Sequence, residues 1–313
     1  MKTPFKRRGC LFIMKQQKHP NFIIIGAMKA ATTSLYTYLK QHPDVFMTTI
    51  KEPMFFNNFE TTTNFKLQGR KTKQITTFEE YYSLFEGVKN EKAIGEASPF
   101  YIFNEDCPQL IHKHLPDIKI IAVLRQPVAR AYSNFLHTRR ADREPISDFE
   151  IAFNKEEERK AENWSPLYYY KGKGYYAEQL ERYYTLFPEE NIKILLFEDL
   201  VQNPVGTSQE IFEFLNVDNT FVPDTSKKAN VSGTPKGIFG WLIMKLRYYY
   251  LIPNIQFSNY LPTFIIQFLF KSAYNKAEPL NKEVTKRLTQ KFYKKDILIL
   301  EKLISKDLQH WLS

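Results

Sequence analysis

The sequence predicts an α/β fold with a central parallel sheet. Short apolar runs rich in β-branched residues alternate along the chain with stretches of helical periodicity, and no internal repeat breaks that alternation. Uninterrupted apolar runs are typical of strands that helices cover on both faces. The predicted strands are Phe22–Ile25, Ala93–Ile94, Ile118–Leu124 and Ile192–Phe197.

Helical patterns separate these strands and continue beyond the last one. The predicted helices are Thr33–Gln41, Phe78–Phe85, Val128–Arg140, Ile146–Glu162, Tyr175–Leu186 and Ser208–Leu215. After Pro223 the composition changes to a loop rich in Lys, Ser, Gly and Pro, followed by an aromatic helix at Ile238–Leu251 and a basic helix at Glu283–Leu303, with Asn281 as the N-cap of the latter. We predict one domain over residues 20–313, in which 238–313 form an α-helical C-terminal elaboration, and a poorly ordered N-terminal extension over residues 1–19.

Composition limits the classes of function. The 313 residues are 43% hydrophobic and 25% charged, which excludes wholesale disorder. The net charge of +10 favours an anionic ligand, a phosphate-rich polymer or an acidic membrane surface. Two cysteines, Cys10 and Cys107, form neither a disulfide framework nor a zinc site, so a reducing, cytoplasmic location is expected.

Two apolar segments bear on membranes. The patch Cys10–Met14 is too short for the core of a signal peptide. The uncharged stretch Tyr248–Phe270 is long enough to cross a bilayer, but Pro253 and Pro262 argue against a continuous lipid-exposed helix. This stretch is expected to be buried in the core or to form a wall of a substrate site. Peripheral contact with the inner face of the membrane through Trp241–Phe270 is the alternative.

The segment Phe22–Leu39 predicts an anion site. A buried strand ends at Gly26, a loop of small residues follows, and a helix begins near Thr32. Free N–H groups and the helix dipole attract an anion at such a turn. Ala30 and Ala31 allow close approach of the backbone, and the hydroxyls of Thr32, Thr33 and Ser34 add donors.

This segment departs from the Walker A pattern GxxxxGK[ST]. Counted from Gly26, Ala31 and Thr32 stand where the second glycine and the lysine would be, and the lysine lies earlier, at Lys29. A lysine within the loop can reach back over a single phosphoryl or sulfuryl group. A Rossmann-like turn with an incidental surface lysine is the alternative that spacing alone leaves open.

A second anion site follows another strand. Ile118–Leu124 ends at Arg125, and Pro127 opens a helix on which Ser133 lies about two turns further along. An arginine fork with a hydroxyl suits a phosphate dianion, although a lone arginine at a strand end is also typical of a surface ion pair. A nucleotide phosphorylated at both ends needs two such pockets, whereas ATP needs one phosphate tail and magnesium.

These segments resemble known motifs. GAMKAATTSL (from Gly26), KEPMFF (from Lys51), GEASPFY (from Gly95), LRQPVARAYSNF (from Leu124) and KKANVSGTPK (from Lys227) are similar to elements of the sulfotransferases that use 3′-phosphoadenosine 5′-phosphosulfate (PAPS). The similarity is closest to the heparan sulfate branch and its bacterial relatives. The resemblance implies a P-loop NTPase-like three-layer fold and no catalytic metal.

The resemblance also implies site roles. It assigns the 5′-phosphosulfate to Lys29, Ala30, Ala31, Thr32, Thr33 and Ser34, the 3′-phosphate to Arg125 and Ser133, and a late donor-binding loop to Lys227 and Lys228. Glu52 would be the general base and Lys29 would stabilise the leaving group. Lys51, Glu52, Ser98 and Tyr101 would contact the acceptor. The heparan branch has a lysine where this chain has Ala97, which argues against a heparan-like polyanion.

The function implied is transfer of a sulfuryl group from PAPS to a hydroxyl, or secondarily an amine, of a glycan or glycolipid, leaving 3′-phosphoadenosine 5′-phosphate (PAP). No nucleic-acid partner is expected. Two alternatives stay open at this point: a P-loop-type kinase, and a non-catalytic basic protein that binds nucleic acid or a membrane surface. His137, one turn beyond Ser133, is an alternative base.

Overall fold

A parallel sheet forms the centre of the molecule. The structure is a computed structural model that describes residues 18–59, 65, 74–141, 143–226, 233–235, 274–276 and 278–313. The strands of the sheet are β1 (Phe22–Gly26), β2 (Val45–Met47), β3 (Ala93–Ala97), β4 (Lys119–Leu124) and β5 (Ile192–Leu196). They pair in the order β2-β3-β1-β4-β5, and every pairing is parallel, which confirms the predicted fold class.

Helices surround the sheet. The strand order changes direction at β1, because β2 and β3 lie on one side of it and β4 and β5 lie on the other. The helices are α1 (Thr32–Leu39), α2 (Phe55–Asn58), α3 (Phe78–Ser83), α4 (Cys107–His114), α5 (Pro127–Arg140), α6 (Phe149–Asn154), α7 (Glu156–Ala161), α8 (Tyr176–Tyr184), α9 (Phe197–Gln202), α10 (Pro204–Phe214), α11 (Lys282–Leu288) and α12 (Lys294–Leu303). Every residue of β1 and β3 is buried, as expected for strands covered on both faces. Because β1 lies between β3 and β4, a crevice is expected outside the carboxyl ends of β1 and β4.

The predicted strands are all present, with bounds that differ by a few residues, but β2 was not predicted because three residues carry too little periodicity. The long helix predicted at Ile146–Glu162 is wrong in one respect: it is two helices, α6 and α7, that meet at Lys155. After this break the carboxylate of Glu156 turns inward and accepts hydrogen bonds from the N–H groups of Lys171 (2.6 Å) and Gly172 (2.9 Å).

The C-terminal helices pack against the sheet domain. The predicted cap is confirmed, since Asn281 Oδ1 accepts a hydrogen bond from Glu283 N at 2.8 Å. The predicted basic helix is interrupted, because a π-helical turn, Thr289–Tyr293, joins α11 to α12. Within that turn Thr289 Oγ1 accepts a hydrogen bond from Gln126 Nε2 at 2.6 Å, and the hydroxyl of Tyr293 donates to Lys171 O at 2.8 Å.

Several predictions fall outside the described residues: the extension over 1–17, the loop lysines Lys227 and Lys228, and the helix at Ile238–Leu251 with the uncharged stretch that follows it. Of this region the structure gives only the backbone of 233–235, which pairs antiparallel with 274–276. No helix in the described part of the chain combines the length and the apolar character needed to cross a bilayer.

Candidate active site

The loop after β1 is a tight turn with two residues in the left-handed region. Gly26 ends the strand at a point where a Cβ would lie 2.4 Å from Ile102 Cγ2, so only glycine fits there. Lys29 (φ 71°) and Ala31 (φ 63°) are left-handed although neither is glycine. Such alternation turns backbone N–H groups toward a common concavity. Ala31 caps α1 without a side-chain hydrogen bond, which leaves the first N–H groups of the helix to face an anion.

Ala30 behaves differently from its neighbours in the loop. It is fully buried, and its N–H donates to Ala27 O at 3.1 Å. This residue therefore shapes the turn, and its contact with the donor stays a prediction.

A cleft of about 470 Å³ opens at the carboxyl ends of β1 and β4. Both predicted anion sites line it, and they touch each other, since Arg125 Nη1 donates a hydrogen bond to Lys29 O at 3.1 Å. The guanidinium of Arg125 also lies 4.3 Å from the ring centroid of Phe197. The predicted residues that line the cleft are Lys29, Ala31, Thr32, Thr33, Ser34, Glu52, Arg125 and Ser133.

The cleft is strongly electropositive around Lys29. Burial lowers the pKa of the Lys29 ammonium to about 8, and the charges of Arg140, Arg125 and Lys51 add to this effect while Glu52 opposes it. A lysine with this pKa is still mostly protonated at pH 7, but its charge is poorly solvated, so it gains much from an anionic ligand.

Glu52 reaches the same cleft from the loop after β2. Its carboxylate pairs with the ammonium of Lys51, and its N–H donates to Ala97 O at 3.0 Å. The Glu52 side chain is 48% exposed, whereas that of Lys51 is 20% exposed. The Glu52 carboxylate is therefore accessible to a substrate that enters from solvent. Lys51 does not line the cleft and contacts it only through Glu52.

Ser98 and Tyr101 are not among the residues that line the cleft, and their contact with the acceptor stays a prediction. Both are fully buried. Ser98 Oγ accepts a hydrogen bond from Met54 N at 3.0 Å and donates to Glu96 Oε2 at 2.8 Å. The hydroxyl of Tyr101 accepts from Phe56 N at 3.3 Å. They support the loop that carries Glu52 from beneath.

One wall of the cleft was missed by the sequence analysis. The sequence analysis assigned no role to the segment FEDLVQNP, from Phe197, yet the side of α9 and the start of α10 line the cleft together with Thr225. The residues of this wall are Phe197, Leu200, Val201 and Pro204. Val201 is 59% exposed, so its side chain is accessible to a ligand in the cleft.

His137 lines the cleft next to Ser133, one helical turn along α5. Burial lowers the pKa of its imidazole to about 3, and the positive charges of Lys29 and Arg140 contribute. A histidine with that pKa is neutral at pH 7 and is a poor proton acceptor, so the structure favours Glu52 over His137 as a base.

The chain was compared with known proteins. The sequence model of the Sulfotransferase family matches residues 20–221, which include both anion sites, Glu52 and α9. The chain belongs to the sulfotransferase family. A crystal structure of a sulfotransferase from Alicyclobacillus acidocaldarius has the same fold, with a TM-score of 0.72 and 33% identity, and the match covers 95% of this chain and 100% of that one.

Curated relatives match a smaller share of this chain. The membrane-associated sulfotransferase kil1 of Dictyostelium discoideum is 34% identical over 116 residues, which are 37% of this chain and 22% of that protein. The bifunctional heparan sulfate N-deacetylase/N-sulfotransferase 4 of Mus musculus is 27% identical over 63% of this chain and 22% of its own length. The heparan sulfate glucosamine 3-O-sulfotransferase 6 of Homo sapiens is 27% identical over 64% of this chain and 54% of its own length. The chain thus spans about a fifth to a half of these relatives.

Proposed function

We propose that this member of the sulfotransferase family transfers a sulfuryl group from PAPS to a hydroxyl of a glycan or glycolipid, with an amine as the less favoured acceptor, and releases PAP. The observation that carries the proposal is that the Lys29 loop and the Arg125–Ser133 pair face one cleft and are joined by the hydrogen bond from Arg125 to Lys29 O. A nucleotide phosphorylated at both its 3′ and 5′ positions needs two anion pockets that open into one cleft.

The cleft offers a place for each part of the donor. In this proposal the 5′-phosphosulfate is held by Lys29 and by the N–H groups and hydroxyls at the start of α1, where the helix dipole favours an anion. Arg125 and Ser133 bind the 3′-phosphate. The apolar wall of Phe197, Leu200 and Val201 suits the adenine ring, which the sequence analysis had left without a partner.

The reaction follows from the groups around Lys29. Glu52 accepts the proton of the acceptor hydroxyl as its oxygen bonds to sulfur, and the bond from sulfur to the bridging oxygen of PAPS breaks. The electron pair of that bond goes to the 5′-phosphate of PAP, where the ammonium of Lys29 stabilises the new charge. In this scheme the chain supplies orientation and electrostatic stabilisation.

The glycan acceptor rests on weaker support. Two of the relatives carry heparan sulfate in their names, while Ala97 replaces the lysine of that branch. An acceptor screen with ³⁵S-labelled PAPS has three arms: a neutral oligosaccharide, an N-deacetylated aminoglycan and a glycolipid in vesicles. The first and third would give an O-sulfated product and the second would reveal N-sulfation. Peripheral contact with a membrane through Trp241–Phe270, and a cytoplasmic location, stay predictions.

The donor is tested by thermal unfolding with PAP and with ATP, each with and without magnesium. A ligand at one hundred times its Kd stabilises the folded state by about 2.7 kcal/mol. We expect PAP to raise the unfolding temperature equally with and without magnesium, and ATP to have a much smaller effect. A larger, magnesium-dependent effect of ATP would replace the proposal by the kinase alternative. A steeply salt-dependent affinity for nucleic acid or anionic vesicles, with no response to PAP, would favour the non-catalytic alternative.

Replacing Arg125 by alanine is expected to weaken PAP binding selectively. Loss of a charge-assisted contact of about 1.5–3 kcal/mol corresponds to a Kd for PAP that is about ten- to a hundredfold higher. The Kd for AMP, which lacks the 3′-phosphate, should change much less. Titration calorimetry of both nucleotides measures the difference, and Arg287→Ala, an exposed arginine on α11, is the control. Equal losses for PAP and AMP would place the 3′-phosphate elsewhere.

The rate should also depend on the proton of Lys29. Because the pKa of this ammonium is lowered to about 8, kcat/KM for PAPS is expected to fall as the pH rises through about 8. The value of kcat/KM falls rather than rises because only the protonated form of Lys29 can stabilise the leaving group. A pH profile of kcat/KM from pH 6 to 10 measures it. A rate that stays level up to pH 10 would mean that the charge of Lys29 is not used.

A further inference from the structure

A buried carboxyl lies beneath the loop that carries Glu52. Glu96 is the fourth residue of β3 and is fully buried. Its Oε2 accepts a hydrogen bond from Ser98 Oγ at 2.8 Å, and the hydroxyl of Tyr101 is close enough to stabilise its charged form. Its Oε1 has no hydrogen-bond partner among the residues that the structure describes. Burial of a carboxyl oxygen without a hydrogen-bond partner costs free energy, so its presence calls for a functional explanation.

The contacts of Glu96 continue upward to the loop. Alternate backbone N–H groups of the loop are held by the segment that follows Glu96: Glu52 N donates to Ala97 O (3.0 Å), Met54 N to Ser98 Oγ (3.0 Å) and Phe56 N to the Tyr101 hydroxyl (3.3 Å). Two of these three acceptors are the side chains that also contact Glu96. The position of the loop therefore depends on the polar network below it.

The loop would not keep its shape without such support. Glu52 (φ 62°) and Met54 (φ 54°) both adopt the left-handed conformation, which is disfavoured for residues with a Cβ. Residues held in this region persist only where their surroundings determine them, and they cluster at functional sites. Here the left-handed turn places the Glu52 carboxylate in the cleft with Lys29.

We propose that Glu96 is the positioning residue of the base. Through Ser98 and Tyr101 it holds the loop of residues 52–56 in a seated state, in which Glu52 lies in the cleft. Protonation of Glu96 stabilises the seated state, and loss of its proton favours an open loop. The inference rests on the proposed function, in which Glu52 is the base. The bare oxygen Oε1 is the atom that carries the proton in the seated state, since Oε2 already accepts from Ser98.

The direction of the switch follows from the surroundings of Glu96. Burial raises the pKa of its carboxyl to about 7, and the hydrogen bonds from Ser98 and Tyr101 oppose this only in part. The titratable groups that face it are Lys51, Glu52, Tyr81, Tyr101, Cys107 and Tyr183. Any opening of the loop that returns water to Glu96 brings its pKa back toward the ordinary value. A rise of pH through 7 therefore favours the open loop, and a fall favours the seated one.

Hydrogen–deuterium exchange of the full chain without nucleotide tests the inference, because it does not depend on the transfer reaction. For the amides of Glu52, Met54 and Phe56, corrected for intrinsic rates, we expect opening to increase up to about tenfold between pH 6 and pH 8 by linkage. Glu96→Gln keeps an acceptor for Ser98 but cannot titrate, so its exchange should be the same at pH 6 and at pH 8. Glu96→Leu, which cannot titrate either, should exchange about fivefold faster than Glu96→Gln at both pH values, as expected for loss of one ordinary hydrogen bond.

Asp296→Asn is the matched control. Asp296 is a second acid whose pKa burial raises, to about 6, but it lies on α12 and accepts from Ala177 N. Its replacement should leave the exchange of the 52–56 amides unchanged. Equal exchange in wild type at pH 6 and pH 8, or a pH dependence that survives in Glu96→Gln, would overturn the inference.

A kinetic readout separates this inference from the proposed function. With PAPS and the responding arm of the acceptor screen, Glu96→Gln should remove an inflection of kcat near pH 7 and leave the Kd for PAP unchanged. If the exchange results hold but Glu52→Gln turns over normally, the assignment of the base fails. If the exchange results fail while PAP still binds, only the role of Glu96 is lost.

Discussion

Glu52→Gln is expected to lower kcat for sulfuryl transfer by about 10²–10⁴-fold, the usual contribution of a general base. Glutamine keeps the size of the side chain, but its amide cannot accept the proton of the attacking hydroxyl. The left-handed φ of 62° at this position is equally demanding for either residue, so the loop keeps its shape. Transfer of ³⁵S from PAPS to the responding acceptor, under single-turnover conditions, measures the chemical step.

Two controls make the result specific. The Kd for PAP should change little, because Glu52 contacts the acceptor side of the cleft in the proposed scheme. Glu86→Gln, an exposed carboxylate that does not line the cleft, should turn over like the wild type. Full activity of Glu52→Gln would leave the chain without the base we assign to it, since the only histidine that lines the cleft in the described part of the chain has a pKa of about 3.

Lys29→Ala is expected to lower kcat by about 10²–10³-fold, as is typical when a preorganised group that stabilises developing charge is removed. The ammonium of Lys29 is poorly solvated in the free cleft, so its attraction for the leaving phosphate should strengthen as charge develops there. The first N–H groups of α1 and the guanidinium of Arg125 remain, so donor binding should weaken far less than the rate.

The measurement pairs the single-turnover rate with the Kd for PAP, and slow hydrolysis of PAPS without acceptor gives a second rate that does not depend on acceptor binding. Both rates should fall together in Lys29→Ala. Lys295→Ala, an exposed lysine on α12, is the matched control. Normal turnover of Lys29→Ala with intact donor binding would show that the role assigned to this lysine is wrong.

The two predicted anion sites could be located from the sequence because local sequence determines where they lie. A buried strand that ends at Gly26 and feeds a helix fixes where the backbone N–H groups point, whatever the rest of the chain does. The same holds for Arg125 at the end of β4, and the parallel sheet then brings the two strand ends together. The order of the strands supplied what periodicity alone could not, namely that both sites face one cleft.

The surroundings of Glu52 could be predicted less well because their geometry depends on contacts distant in sequence. Nothing in the string GEASPFY tells which way Ser98 and Tyr101 point, and the structure turns both toward the loop of residues 52–56. A signal for Glu96 was present, since an acid within a buried strand must find partners in the core. The apolar side of α9 could not be distinguished from core by pattern, because a helix face that lines a cleft and one that packs on a sheet have the same periodicity.

The hydrogen bond from Gln126 to Thr289 has a consequence for how the enzyme can be shortened. Gln126 caps α5, the helix of Ser133, by accepting from Ala129 N at 2.7 Å, and its amide is held by a residue far beyond position 221, where the match to the family ends. A chain trimmed to the matched segment would lack both Thr289 and Trp311. The Gln126 amide and the surface on which Trp311 is buried would then be exposed to water. Expression of the trimmed segment should therefore give a protein with weakened nucleotide binding even though Lys29, Glu52, Arg125 and Ser133 are all retained.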